Sequence, residues 1–107
     1  MSNAAKQGAQ LALNRYNVVT REIAAALQER GDLQAALSSG RVQAYEQATA
    51  EGANVTNARH AADLAGEHLT QEIAKLSGTI EADLIELRYL DQLLAYYKHY
   101  GSDTEEE

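Results

Sequence analysis

The sequence predicts an all-α protein, and two observations carry that prediction. The 107 residues include no proline and are rich in alanine, leucine, glutamate, glutamine and arginine, all of which favour helices. Apolar residues also recur at alternating spacings of three and four, which is the period of a single helix face. We therefore expect an antiparallel helical hairpin or three-helix arrangement, with one long coiled-coil-like C-terminal helix, that assembles into an oligomeric bundle.

The first predicted helix covers about 5–30. Gly31 suits the left-handed residue that follows a helix, and Asp32 can cap the next one. The apolar face of this helix consists of Ala9, Ala12, Tyr16, Val19, Ile23, Ala26 and Leu27.

The second predicted helix covers about 33–50 and uses Leu33, Leu37, Ala44 and Ala48 as its apolar positions. An alternative is that both segments form one helix, because the heptad phase continues from the first segment into the second without a slip. A glycine inside a helix costs only ~1 kcal/mol relative to alanine, so a continuous helix can pass through Gly31.

The third predicted helix covers about 56–100 and follows a turn that begins at Gly52. Thr56 is the expected N-cap. The segment 77–79, Ser-Gly-Thr, is the one candidate break, but the heptad phase crosses it, so we expect continuity or a mild kink. Gly101 is the expected end, which makes 1–101 a single helical domain and 102–107 a disordered acidic tail.

The last third of the chain is the strongest functional lead. From 84 to 100, eleven of 17 residues are apolar or tyrosine, and a helix that is apolar on most sides must be covered on most sides. Tyrosine is also favoured at interfaces. The predicted self-association interface comprises Ile73, Leu76, Ile80, Asp83, Leu84, Leu87, Tyr89, Leu90, Leu93, Leu94, Tyr96, Tyr97 and Tyr100.

Asp83 occupies a position of this heptad where an apolar residue is expected. A polar residue on such a seam often fixes the register or the oligomeric state. The other interpretation is that the seam is locally exposed at this point.

Composition narrows the function. Leu, Ile and Val number 21, so a core built by one copy would be thin and association is favoured. The absence of cysteine excludes disulfides and thiolate chemistry. The net charge of −7, of which four charges lie in 103–107, argues against nucleic-acid binding. No membrane span or signal peptide is evident, so a cytoplasmic protein is expected.

Catalytic and metal-binding motifs are lacking. His60, Asp63 and Glu67 could share one helix face, but a solvated polar face is the expected role. There is no nucleophile elbow, phosphate-binding glycine loop or zinc-protease motif. The sequence thus predicts a protein that is not an enzyme and has no cofactor and no metal.

Three functions follow from these observations. The leading one is a non-enzymatic oligomerisation or protein-interaction module, most simply a homodimer, that serves in assembly or as an adaptor. The alternative is a small acidic inhibitor, of the kind phages use, that binds a nucleic-acid-binding or defence protein. The third is a bundle that sequesters a nucleotide or other small ligand between tyrosine and arginine side chains.

Overall fold

The chain folds into two long helices, α1 (Asn3–Ala50) and α2 (Val55–Glu105), with no strand in the part described. This computed structural model describes the backbone of residues 2–105 and the side chains of residues 2–99. The prediction of an all-α protein is confirmed. The described residues of 1–25 and 80–107 form one compact unit, the terminal unit, and residues 26–79 form another, the turn unit.

The predicted break at Gly31 is wrong, and the alternative of one long helix is confirmed. The segments 5–30 and 33–50 are both parts of α1, so no three-helix arrangement is formed. Gly31 is exposed, whereas Arg30 and Leu33 on either side of it are half-buried. Asp32 does not cap a helix, because its Oδ1 accepts a hydrogen bond from Gln28 Nε2, one turn back, at 3.2 Å. Packing on both sides of the glycine thus outweighs its low helix propensity.

The turn predicted at Gly52 is confirmed, and main-chain hydrogen bonds define it. Ala53 N–H donates to Ala48 O at 2.9 Å, and Gly52 N–H donates to Thr49 O at 3.0 Å. This pair of bonds is the Schellman motif, which requires a left-handed residue after the helix. Gly52 supplies it with a φ of 95°, the one positive φ among the described residues.

The N-cap of α2 lies two residues before the predicted one. Asn54, rather than Thr56, is the N-cap: its Oδ1 accepts a hydrogen bond from Asn57 N–H, and its carbonyl accepts one from Ala58 N–H, both at 2.9 Å. Asparagine is among the best N-cap residues. Asn54 lies only two residues after Gly52, so the end of α1 is followed almost immediately by the start of α2. Thr56 lies inside the first turn of α2 instead.

The other end of α2 also extends further than predicted. The helix continues through Ser77, Gly78 and Thr79, as expected from the heptad phase, and then past Gly101 to Glu105. A glycine ends a helix only where the backbone adopts the left-handed conformation, and in the described chain only Gly52 does so. The remainder of the predicted acidic tail, Glu106 and Glu107, lies outside the described residues.

The turn unit is a helical hairpin in which the second part of α1 packs against the first part of α2. Ala58 and Gly66 are buried, and a Cβ atom placed on Gly66 would lie 2.5 Å from Leu37 Cδ1. The two segments therefore approach closely at Gly66. Across the pair, Arg30 Nη1 donates to Ser77 Oγ at 3.2 Å.

The terminal unit contains the main apolar core. Val19 is fully buried, and it forms one cluster with Ala12, Ile23 and Leu90. The half-buried side chains that pack against this cluster are Tyr16, Leu87, Leu93 and Leu94. The buried positions of both helices follow the predicted spacing of three and four, so the apolar seam predicted from the sequence is the surface on which this chain's own helices pair.

The conformation of Gly52 leads to a prediction about stability. Gly52→Ala should lower the free energy of unfolding by about 1–2 kcal/mol, because a Cβ atom is unfavourable in the left-handed region. Urea denaturation at one fixed protein concentration measures this change.

Gly31→Ala is the matched control. A Cβ atom at Gly31 meets no atom within 4 Å, so the same substitution should raise the free energy of unfolding by about 1 kcal/mol through helix propensity. Equal effects of the two substitutions would contradict the assignment of Gly52 as the helix terminator and Gly31 as a helix-interior residue.

Candidate interaction surface

The thirteen residues of the predicted interface fall into different environments. Ile80 and Leu90 are buried, and most of the others are half-buried against α1. The half-buried residues are Ile73, Leu76, Asp83, Leu87, Leu93, Leu94 and Tyr97, the exposed ones are Leu84, Tyr89 and Tyr96, and the side chain of Tyr100 lies outside the described residues. Most of the predicted stripe is therefore occupied by contacts within the chain.

Five large side chains of the terminal unit remain exposed on one side of the helix pair. They are Leu11, Val18, Ile85, Tyr89 and Tyr96, and we refer to them as the tyrosine face. The predicted interface includes the two tyrosines but not Ile85, and it also leaves out Leu11 and Val18 of α1. The sequence does contain a pattern that could have identified Leu11 and Val18. They are seven residues apart on α1, as Tyr89 and Tyr96 are on α2, so each pair lies on one helix face.

An ion pair shows that these residues share one side. Arg15 of α1 and Glu86 of α2 bridge the two helices, with Nε 2.6 Å from Oε2 and Nη2 2.8 Å from Oε1. Residues three or four apart are neighbours on a helix surface, so Leu11 and Val18 flank Arg15, and Tyr89 flanks Glu86. By the same rule Ile85 lies next to Tyr89, and Tyr96 lies two turns beyond it.

The ion pair is bidentate, the arrangement that suits a planar guanidinium and a carboxylate. The two hydrogen bonds from Arg15 lower the pKa of Glu86 below its usual range, and the same contact raises the pKa of Arg15. Both side chains remain well exposed to solvent. The pair therefore positions the two helices more than it stabilises them.

The opposite side of the terminal unit exposes two further large apolar residues among charged ones. Leu13 and Leu84 are exposed there, and Leu13 lines an open groove with Tyr97 and Leu94. The charged residues of the helix faces adjoining these two leucines are Lys6, Glu81, Arg88, Asp91 and Lys98. We refer to this surface as the charged side.

Tyr97 is half-buried: it packs against α1 and also lines the open groove. Its ring lies over Gly8 of α1, where an added Cβ atom would lie 2.9 Å from Cζ. Its ring centroid is 5.7 Å from that of Tyr96 at an interplanar angle of 77°, an edge-to-face contact. Tyr97 thus supports the exposed Tyr96 by packing against one side of its ring.

His60, Asp63 and Glu67 line an open groove with Arg41 and are exposed. Among the described side chains, no group of three or more His, Cys, Asp or Glu is arranged to hold a metal ion. Over residues 2–105, neither helix combines the length and the hydropathy that crossing a bilayer requires.

No family model matches the chain, and no curated protein or solved structure is significantly similar to it. Its function is therefore argued from its own residues.

Among the described seam residues, Asp83 is the one with an enclosed polar atom that lacks a hydrogen-bond partner. The residue is half-buried, and its Oδ2 is enclosed without a hydrogen-bond partner among the described residues. The interpretation of a locally exposed seam is therefore wrong for this oxygen. The interpretation that Asp83 sets register or oligomeric state stays a prediction.

Asp83→Leu should raise the free energy of unfolding by about 1–3 kcal/mol, because it removes an enclosed polar group that lacks a partner. Asp91→Leu, at an exposed position of the same helix, is the control and should change this free energy by less than about 0.5 kcal/mol. Thermal and urea unfolding measure both. A destabilised Asp83→Leu variant would contradict the assignment.

The ion pair predicts a pH dependence. A lowered pKa in the folded state means that Glu86 stabilises the fold above the unfolded-chain pKa of about 4.3 and loses that contribution as the pH falls through the folded-state pKa. Arg15→Gln should raise the pKa of Glu86, as measured by NMR titration of its carboxyl carbon.

Arg21→Gln is the matched control, because it removes the same charge from α1 at a residue whose Nε donates to its own helix, to Asn17 O at 3.2 Å. The titration of Glu86 should be unchanged in that variant. Identical titration curves in both variants would show that the contact with Arg15 does not govern Glu86.

Proposed function

We propose that this protein is a non-enzymatic self-association module that acts in assembly or as an adaptor. The observation that carries the proposal is the tyrosine face, five large apolar or aromatic side chains that remain exposed after the seam between α1 and α2 is filled. Large exposed apolar patches on a folded protein mark interaction sites.

The composition of the seam supports the same proposal. Several of its members are small, and Val19 is the largest fully buried side chain among residues 2–99. A pair of helices forms a single layer, and stable domains pack at least two layers of secondary structure around a core. Another pair of helices, supplied by a second copy, would complete that core in the manner of a four-helix bundle.

The inhibitor and ligand-binding hypotheses stay predictions. The acidic tail that would engage a basic partner lies in residues whose side chains are not described. The groove beside Tyr97 is open and shallow, which suits a flat ligand less well than an enclosed site would.

Sedimentation equilibrium of the full chain tests the proposal. We expect a defined oligomer at micromolar concentration, with a mass that is a multiple of the 11.6 kDa of one chain. A folded monomer that persists at 100-fold higher concentration would overturn the proposal.

Seam substitutions are unsuitable for this test. Leu90, which the sequence places in the interface, is only 6% exposed and packs in the core of its own chain. Glutamate at this position would unfold the terminal unit whether or not the protein associates.

A further inference from the structure

We infer that the tyrosine face is the surface on which a second copy of this chain docks. This inference rests on the proposed function and adds to it the location of the interface. Three properties of the face carry it: its area, its charge and its contrast with the charged side.

The exposed area of the tyrosine face is comparable with the apolar part of a dimer interface. Leu11 is 69% exposed, Ile85 61%, Tyr89 62% and Tyr96 56%. At roughly 200 Å² for a tyrosine and 100 Å² for an aliphatic side chain, the five residues offer about 400 Å² of surface per copy. A standard interface buries about 800 Å² per partner, of which about 60% is apolar. The tyrosine face therefore supplies most of the apolar part of such an interface.

The two segments of the terminal unit carry opposite formal charges. Residues 1–25 carry a net charge of +2, and residues 80–107 carry −6, of which −4 lies in 103–107. Residues 26–79 carry the remaining −3. The opposite signs favour α1 of one copy facing α2 of the other in a two-fold symmetric contact.

The two sides of the terminal unit differ in the apolar surface that they expose. The tyrosine face has five large exposed side chains, and the charged side has two, Leu13 and Leu84. On the tyrosine face, Arg15 and Glu86 neutralise each other through two hydrogen bonds, and the charges of Glu22 and Asp83 also act on Arg15. An interface on the tyrosine face therefore buries more apolar surface than one on the charged side.

Two pairs of variants locate the interface. Leu11→Glu and Tyr89→Glu should each weaken self-association at least tenfold in sedimentation equilibrium, because each places a charge in the proposed contact. Leu13→Glu and Leu84→Glu are the matched controls on the charged side and should leave the association constant within twofold of wild type. Helix content and Tm, measured by circular dichroism at a concentration where the wild type is dissociated, confirm that each variant is folded.

Alkylation gives a readout that does not depend on a disruptive charge. The chain has no cysteine, so Leu11→Cys and Leu13→Cys each introduce one reactive thiol. In the oligomer, a maleimide should modify position 11 at least fivefold more slowly than position 13, and dilution should abolish the difference.

The outcomes separate the two proposals. A monomeric wild type overturns the proposed function, and the inference with it. An oligomeric wild type that is dissociated by Leu13→Glu or Leu84→Glu but not by Leu11→Glu or Tyr89→Glu overturns this inference alone. Equal alkylation rates at positions 11 and 13 in the oligomer would also overturn this inference and leave the proposed function standing.

Discussion

The close approach of α1 and α2 along a seam of small side chains is the constraint on which the rest of the structure depends. Gly8 lies under the ring of Tyr97, and Gly66 lies against Leu37, so neither position has room for a Cβ atom without movement of its neighbour. Small residues bring two helices together but remove little apolar surface from water. Larger side chains beside the seam consequently remain exposed, and five of them form the tyrosine face.

The ion pair between Arg15 and Glu86 helps to set how α1 and α2 are aligned beneath the tyrosine face. A planar guanidinium that donates two parallel hydrogen bonds to one carboxylate tolerates little sliding of one helix along the other. The pair therefore helps to fix the register of the terminal unit, in which Leu11 of α1 and Tyr89 of α2 are displayed on the same side. Because its charges are satisfied within the chain, it can adjoin an apolar contact without presenting an unpaired ion to it.

Periodicity predicted the helices and the seam, because the spacing of buried positions is a local property of each helix. It did not show which of Gly31 and Gly52 ends a helix. Glycine lies inside a helix where the residues on both sides are packed, as at Gly31, and it ends a helix where the chain turns, as at Gly52. Nor did it reveal that Leu11 and Tyr89 are exposed on the same side of the terminal unit, which depends on the side of α2 that Glu86 occupies. The N-cap at Asn54 was readable in principle from the favoured residue type two positions after Gly52.

The contacts between the two helices join residues of steadily increasing separation along the chain. Arg41 and Thr70 are 29 residues apart, Arg30 and Ser77 are 47 apart, and Arg15 and Glu86 are 71 apart. Loop-closure entropy depends on the length of free chain between the joined points. Once the pairs nearer the turn are formed, each further pair closes only a short additional stretch. Pairing that is distant in sequence is thereby reached through a series of nearly local steps, which is the regime of fast-folding helical proteins.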